Sequence, residues 1–236
     1  MLACYLTFDP PSYRTAMMAL RVCVRRQGRL PQTLVVDGGK EFHSRYCDRL
    51  LACYSCTKKT RPGAQPRSGS VIARLFGTTT TAFVHNLLGH TQASTVPRQM
   101  TKAVDPKRQA VWQVPDLYTF VCAWAYDIYD QREHPARGHR PRDAWAVGRA
   151  DGGERAHRRI LYDEAFRLAT LPRPPRGTAR GPPSQGIKVH SLSYGHEVFR
   201  LPDVVRTRGP VRYDPFDISV AYAYVHERWV ECVTRA

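Results

Sequence analysis

Asp37 closes the β-branched run Thr33-Leu34-Val35-Val36 and is followed by Gly38-Gly39-Lys40-Glu41-Phe42. A carboxylate at a strand end beside two glycines could hold a metal ion or simply order the glycine turn. Phosphodiester transfer with two Mg²⁺ or Mn²⁺ ions needs three such groups converging from separate elements, one bridging both ions. The other acids fit that requirement poorly, since no Asp or Glu occurs between Asp48 and Asp105. Glu41 lies in the first turn after Gly39, where a carboxylate serves a helix start as readily as a metal. Asp9, the only acid before Asp37, stands beside Pro10 and Pro11 with Ser12 three residues on, which reads as a turn into a helix.

Cations gather around the same stretch: Lys40, Lys58, Lys59, Arg61, Arg67 and Arg74. They could grip phosphates or form a solvated face. Cys47, Cys53 and Cys56, with His43 upstream, offer zinc-ligand chemistry, but no second Cys-x-x-Cys pair follows and the thiols alternate with apolar residues. Seven cysteines, an odd number, fit reduced thiols better than a disulfide framework. No Gly-x-Ser-x-Gly elbow is present for a serine nucleophile.

The elements that must position these groups alternate. Residues 4–8 read as a strand and 13–26 as a helix with Met17, Leu20 and Val24 at helical spacing, broken at 28–31. Strand 33–36, helix 40–52 and strand 56–60 follow, an α/β pattern that calls for parallel neighbours and covering helices. Residues 61–70 read as a loop. The next helix, 69–86, should set Ala73, Phe76 and Phe83 on one face and Arg74 on another. A polar connection at 89–110 leads to an amphipathic helix at 115–129. Beyond the Pro- and Gly-rich stretch 171–183, short runs at 187–192, 211–213 and 222–225 suggest a small antiparallel barrel. Trp112, Trp124, Trp145 and Trp229 are expected to pack rather than stack on bases.

Composition narrows the partners. The 236 residues carry 36 Lys plus Arg against 20 Asp plus Glu, a formal charge of +16. Arginine is spread along the whole chain, so the excess should belong to folded surfaces, and a polyanion is the natural partner because neutralised phosphates release counterions. No run of about 18 apolar residues could span a membrane, and the short apolar opening lacks the basic start of a signal peptide.

Two stretches together resemble a known family. The segment Leu34-Val35-Val36-Asp37-Gly38-Gly39-Lys40-Glu41-Phe42, then Arg61-Pro62 and Gly69-Ser70-Val71-Ile72-Ala73-Arg74-Leu75-Phe76-Gly77-Thr78, is similar to the catalytic core of the D,D,E transposases and retroviral integrases. His134-Pro135 and the segment from Arg140 to Trp145 resemble the close of that core. Val211-Arg212-Tyr213-Asp214-Pro215-Phe216-Asp217, Ala221-Tyr222-Ala223-Tyr224-Val225 and Trp229-Val230 look like the C-terminal barrel of Mu-type transposases.

The resemblance implies an incomplete ribonuclease H-like α/β core over 1–110, a helical extension over 111–157 and a C-terminal β-barrel over 158–236. It matches Asp37 to the family's second aspartate. The glutamate's place, after 35 intervening residues, holds Ala73, and the opening hairpin with the first aspartate is expected to be missing. The family joins transposon ends to target DNA with Mg²⁺ or Mn²⁺, as DNA-bound homo-oligomers with partner proteins, in the bacterial cytoplasm at the nucleoid. A chain with one of three ligands is expected to be inactive. The alternative is a DNA-binding protein that regulates transposition without catalysis.

Overall fold

The computed structural model describes residues 1–39, 42, 44–61, 70–92, 105–135, 137–153, 155, 158–174, 178–179, 186–204 and 209–234. Helix α1 (Tyr13–Gln27) buries Met17, Leu20 and Val24, the expected stripe, and stops where Gly28 turns left-handed at φ 64° with its N–H bonded to the Val24 carbonyl. Strand β1 (Thr33–Val36) follows, then α2 (Arg45–Cys53), whose start is set by the Ser44 hydroxyl accepting the Tyr46 N–H. Strand β2 (Thr57–Thr60) pairs parallel to β1, Thr33 opposite Thr57 and Val36 opposite Thr60.

Residues 1–7 form no strand. The expected strand at 4–8 has no ladder to join, and its backbone is engaged by side chains instead: the Tyr118 hydroxyl donates to the Cys4 carbonyl at 3.0 Å. Helix α3 (Ser70–Ala82) ends in a 3-10 turn, Val84–Asn86. Helix α4 (Val114–Ala123) runs into a π-helical turn, Trp124–Tyr129, so the long helix read at 115–129 is one continuous rod with a wide last segment. Helices α5 (Pro141–Asp151) and α6 (Glu164–Thr170) complete the helical part. Phe166 of α6 enters the core of α1 and α2 with Met17, Leu20, Cys23, Val24, Cys47, Leu50 and Leu51.

The C-terminal part is an antiparallel barrel-like sheet. Strands β3 (Thr178–Ala179), β4 (Ile187–Val189), β5 (Leu192–Gly195), β6 (Gly209–Asp214), β7 (Asp217–Val225) and β8 (Arg228–Thr234) lie in the order β3-β6-β7-β8-β5-β4, and its two end strands approach each other. Gly186 sits where a Cβ would come within 2.0 Å of the Tyr194 carbonyl oxygen at φ 71°, so the entry to β4 accepts only glycine. Val211, Ala221, Ala223 and Cys232 face the barrel interior with Ile187, Val189 and Tyr194. By strand alternation Arg212, Tyr222 and Glu231 face outward, and Tyr222 is nevertheless buried because α6 covers it.

One buried ion pair ties barrel to helices. Arg21 of α1 donates to both Asp214 oxygens of β6, at 2.9 and 2.7 Å, with the two residues 4% and 2% exposed. A register shift at Tyr213/Asp214 turns the carboxylate toward α1. The third donor of the guanidinium goes to the Tyr162 hydroxyl at 2.9 Å, and the Phe216 N–H satisfies the carboxylate at 3.0 Å. Arg21→Ala and Asp214→Ala are each expected to destabilise the protein by about 3–5 kcal/mol, the cost of stranding one buried charge. Urea unfolding reads this directly, and the joint replacement R21M/D214L should recover part of the loss. A loss below about 1 kcal/mol in both single variants would show that the pair is not what joins the two parts.

Candidate functional site

Asp37 and Ala73, the two positions expected to face each other, are both exposed. Asp37 is exposed at the end of β1, and its carboxylate accepts the Gly39 N–H at 3.2 Å, an Asx turn that orders the glycine pair. Asp9 is exposed as well and sits by the tyrosines of the barrel edge: burial raises the Tyr213 hydroxyl and the Asp9 charge adds to the rise. Lys40, Glu41, His43 and Arg67 lie outside the described residues. Among the described residues no group of three His, Cys, Asp or Glu side chains is arranged to hold a metal ion.

Ala73 is exposed on α3. It borders an open depression lined by Arg74, Gly77, Thr78 and Thr81, with neither an acid nor Asp37 in the lining. Two expectations for this helix are corrected. Ala73 and Arg74 flank one depression instead of lying on separate faces, and Phe76 is 67% exposed while Phe83 is buried. The reason is that α3 has only its C-terminal end packed. Phe83 anchors it against Trp124 at 5.6 Å between rings, while Val71, Ile72 and Phe76 stay in solvent.

The cations divide into committed and open ones. Lys58 is held by Asp48 and by the Phe42 carbonyl at 2.8 Å, so its ammonium serves the α2–β2 junction. Lys59 is exposed on the other side of the strand, and the Arg61 backbone N–H extends the ladder to the Val36 carbonyl. Sequence reasoning missed a different basic group. Arg212 lies 5.1 Å from the centre of the Tyr46 ring and 4.5 Å from that of Trp229, and Arg173 lies 4.8 Å from Tyr46. Tyr13 meets Tyr46 edge-on at 6.2 Å. The only signal for it was the Arg212–Tyr213 alternation on a strand, with no hint that Tyr46 lay opposite.

All seven cysteines are free thiols. Burial holds Cys4 and Cys23 up to about 11, with Cys122 and Cys56 adding to it respectively, and holds Cys232 up to about 12. Cys53 is exposed at the end of α2. Of the cysteines with zinc-ligand chemistry, Cys47 and Cys56 are buried and Cys53 is not.

Comparison with the known protein families and with curated proteins finds no match to this chain. The resemblance to transposases rests on the quoted segments alone.

Two outcomes follow from this geometry. Brief alkylation at pH 8 should label Cys53 first, since only thiolate reacts and the buried thiols hold their protons. Peptide mass spectrometry reads the order, and early labelling of Cys23 or Cys232 would contradict it. Ala73→Glu should shift stability by no more than about 0.5 kcal/mol, as an exposed helix position, and should not create a Mg²⁺ site measurable by calorimetry.

Proposed function

We propose that this chain binds DNA without cutting or joining it, as a non-catalytic relative of the D,D,E transposases. The observation that carries the DNA reading is the charge: 36 cationic against 20 anionic side chains, with the arginines distributed over folded elements. Among the described residues Arg21, Lys58, Arg108 and Arg167 are matched to acids, while Lys59 is exposed on its strand. A folded surface with that excess attracts polyanions through counterion release, whatever their sequence.

The non-catalytic part of the reading comes from the acids. Two-metal transfer needs carboxylates that jointly neutralise the ions; Asp37 is exposed and committed to its own turn, and Ala73 offers no oxygen. The parallel pair β1–β2 with α1 and α2 against it would be the portion of a ribonuclease H-like core that this chain retains, and the barrel would be the Mu-type domain. Transposon ends or target DNA are then the ligands, Mg²⁺ has no complete ligand set, and co-assembly with active subunits on DNA would let the chain act as a regulator of transposition.

Fluorescence anisotropy of the full chain on a labelled duplex tests the DNA reading. Affinity should fall by about 10³-fold or more between roughly 50 and 200 mM salt, as for six or more phosphate contacts, with little difference between sequences. Absence of binding at low salt removes the DNA reading. Nicked or joined product with Mg²⁺ or Mn²⁺ removes the non-catalytic one.

A further inference from the structure

Arg212 and Arg173 are placed together against the Tyr46 ring. Among the described residues neither pairs with a carboxylate, unlike Arg21, whose partner Asp214 stands two residues beyond Arg212 on the same strand. The Nε–H groups of Arg173 and Arg212, and that of Arg14 beside Tyr13, are buried without a protein acceptor. A guanidinium carries five donors and no acceptor, so two of them partly withdrawn from water ask for an oxyanion. Burial lowers the Arg212 guanidinium, Tyr46 opposes that shift and the like charge of Arg173 adds to it.

The surrounding rings fix the orientation of these side chains. Tyr46 carries both guanidiniums and meets Tyr13 at its edge, while Trp229 covers Arg212 from the barrel side. The Tyr46 and Trp229 rings lie 5.1 and 4.5 Å from the Arg212 guanidinium, whose planar fork of donors suits a phosphate and its paired oxygens. The rings are already engaged by cations, which leaves recognition to the phosphate and not to a base.

We propose that the notch between α2 and the outer face of β6 and β8, edged by Arg173 and Arg212, holds a phosphate of the nucleic-acid backbone. The proposal rests on the DNA-binding reading and assigns it a place: α2 and the barrel would grip one phosphate between them.

Two measurements on the full chain test it. Arg173→Gln and Arg212→Gln should each weaken duplex binding about tenfold and reduce the slope of log affinity against log salt by about 1, one phosphate contact, while Lys188→Gln, which removes an equal charge from β4, should change the slope by clearly less. Thermal melts confirm that each variant is folded; if Arg212→Gln is not, Arg212→Lys, which keeps the charge and loses the planar fork, takes its place and should show a weaker effect in the same direction. Independently, dicarbonyl labelling of arginines in the unmodified protein should show Arg173 protected by duplex DNA. Protection by inorganic phosphate at the same phosphate concentration would assign the notch to a small anion and overturn the backbone assignment. Salt-dependent binding that persists with unchanged slope in folded variants and with Arg173 labelled as before overturns the notch and leaves the DNA reading standing. No binding by the unmodified chain overturns both.

Discussion

The contact between Arg21 and Asp214 joins residues 193 positions apart and is the hinge of the architecture. It is the most buried of the polar contacts between the two parts. The α1–α2–α6 core and the barrel interior are separate apolar clusters, and apolar burial is non-directional. A bidentate pair holds the guanidinium and carboxylate in one plane, so it sets both distance and rotation. Around it the contacts are aromatic: Phe216 follows Asp214, receives Tyr5 edge-on at 5.7 Å and lies under the Arg21 guanidinium. Arg167 continues the network, 4.0 Å from Asp214 and bonded to the Tyr222 hydroxyl, which in turn donates to Glu231.

Local structure was legible in the sequence where one residue type decides it. Gly28 stops α1, the β-branched run 33–36 makes β1, and the runs at 211–213 and 222–225 fall within β6 and β7. What failed was local pattern without a neighbour. Residues 4–8 have strand composition, yet a strand exists only through its ladder, and their neighbours are α4 side chains. The start of α2 shows the same dependence on detail: the Ser44 hydroxyl sets it, later than the Gly-Gly turn suggested.

The candidate site was less legible than the fold because chemistry depends on convergence. Asp37, Ala73 and the nearby cations are close in sequence, and the folded chain commits Lys58 to Asp48 and Asp37 to its own turn. The notch of Arg173 and Arg212 draws on residues from a loop, a helix and two strands, with Tyr46 more than a hundred positions from its partners. Pairing across such separations leaves no periodic trace. Asp214 itself reads as the first residue of an Asp-Pro turn, and only the register shift beside it turns it into the partner of α1.

Helix α3 shows how little a helix's own sequence does to fix its place in the fold. Its sequence, Ser-Val-Ile-Ala-Arg-Leu-Phe-Gly-Thr-Thr-Thr-Thr-Ala, includes a mid-helix glycine and four threonines, residues with low helix propensity. Thr79 and Thr81 turn their hydroxyls back onto the carbonyls four residues earlier, which satisfies them without any tertiary partner. A helix of this make-up takes its position from what covers its apolar side. Here Phe83 is covered and Phe76 is not, so the rod is held by its C-terminal end while Ala73 lies well up the uncovered part. A metal centre would need more than a carboxylate at that position: the helix must also be held against the strand that ends at Asp37.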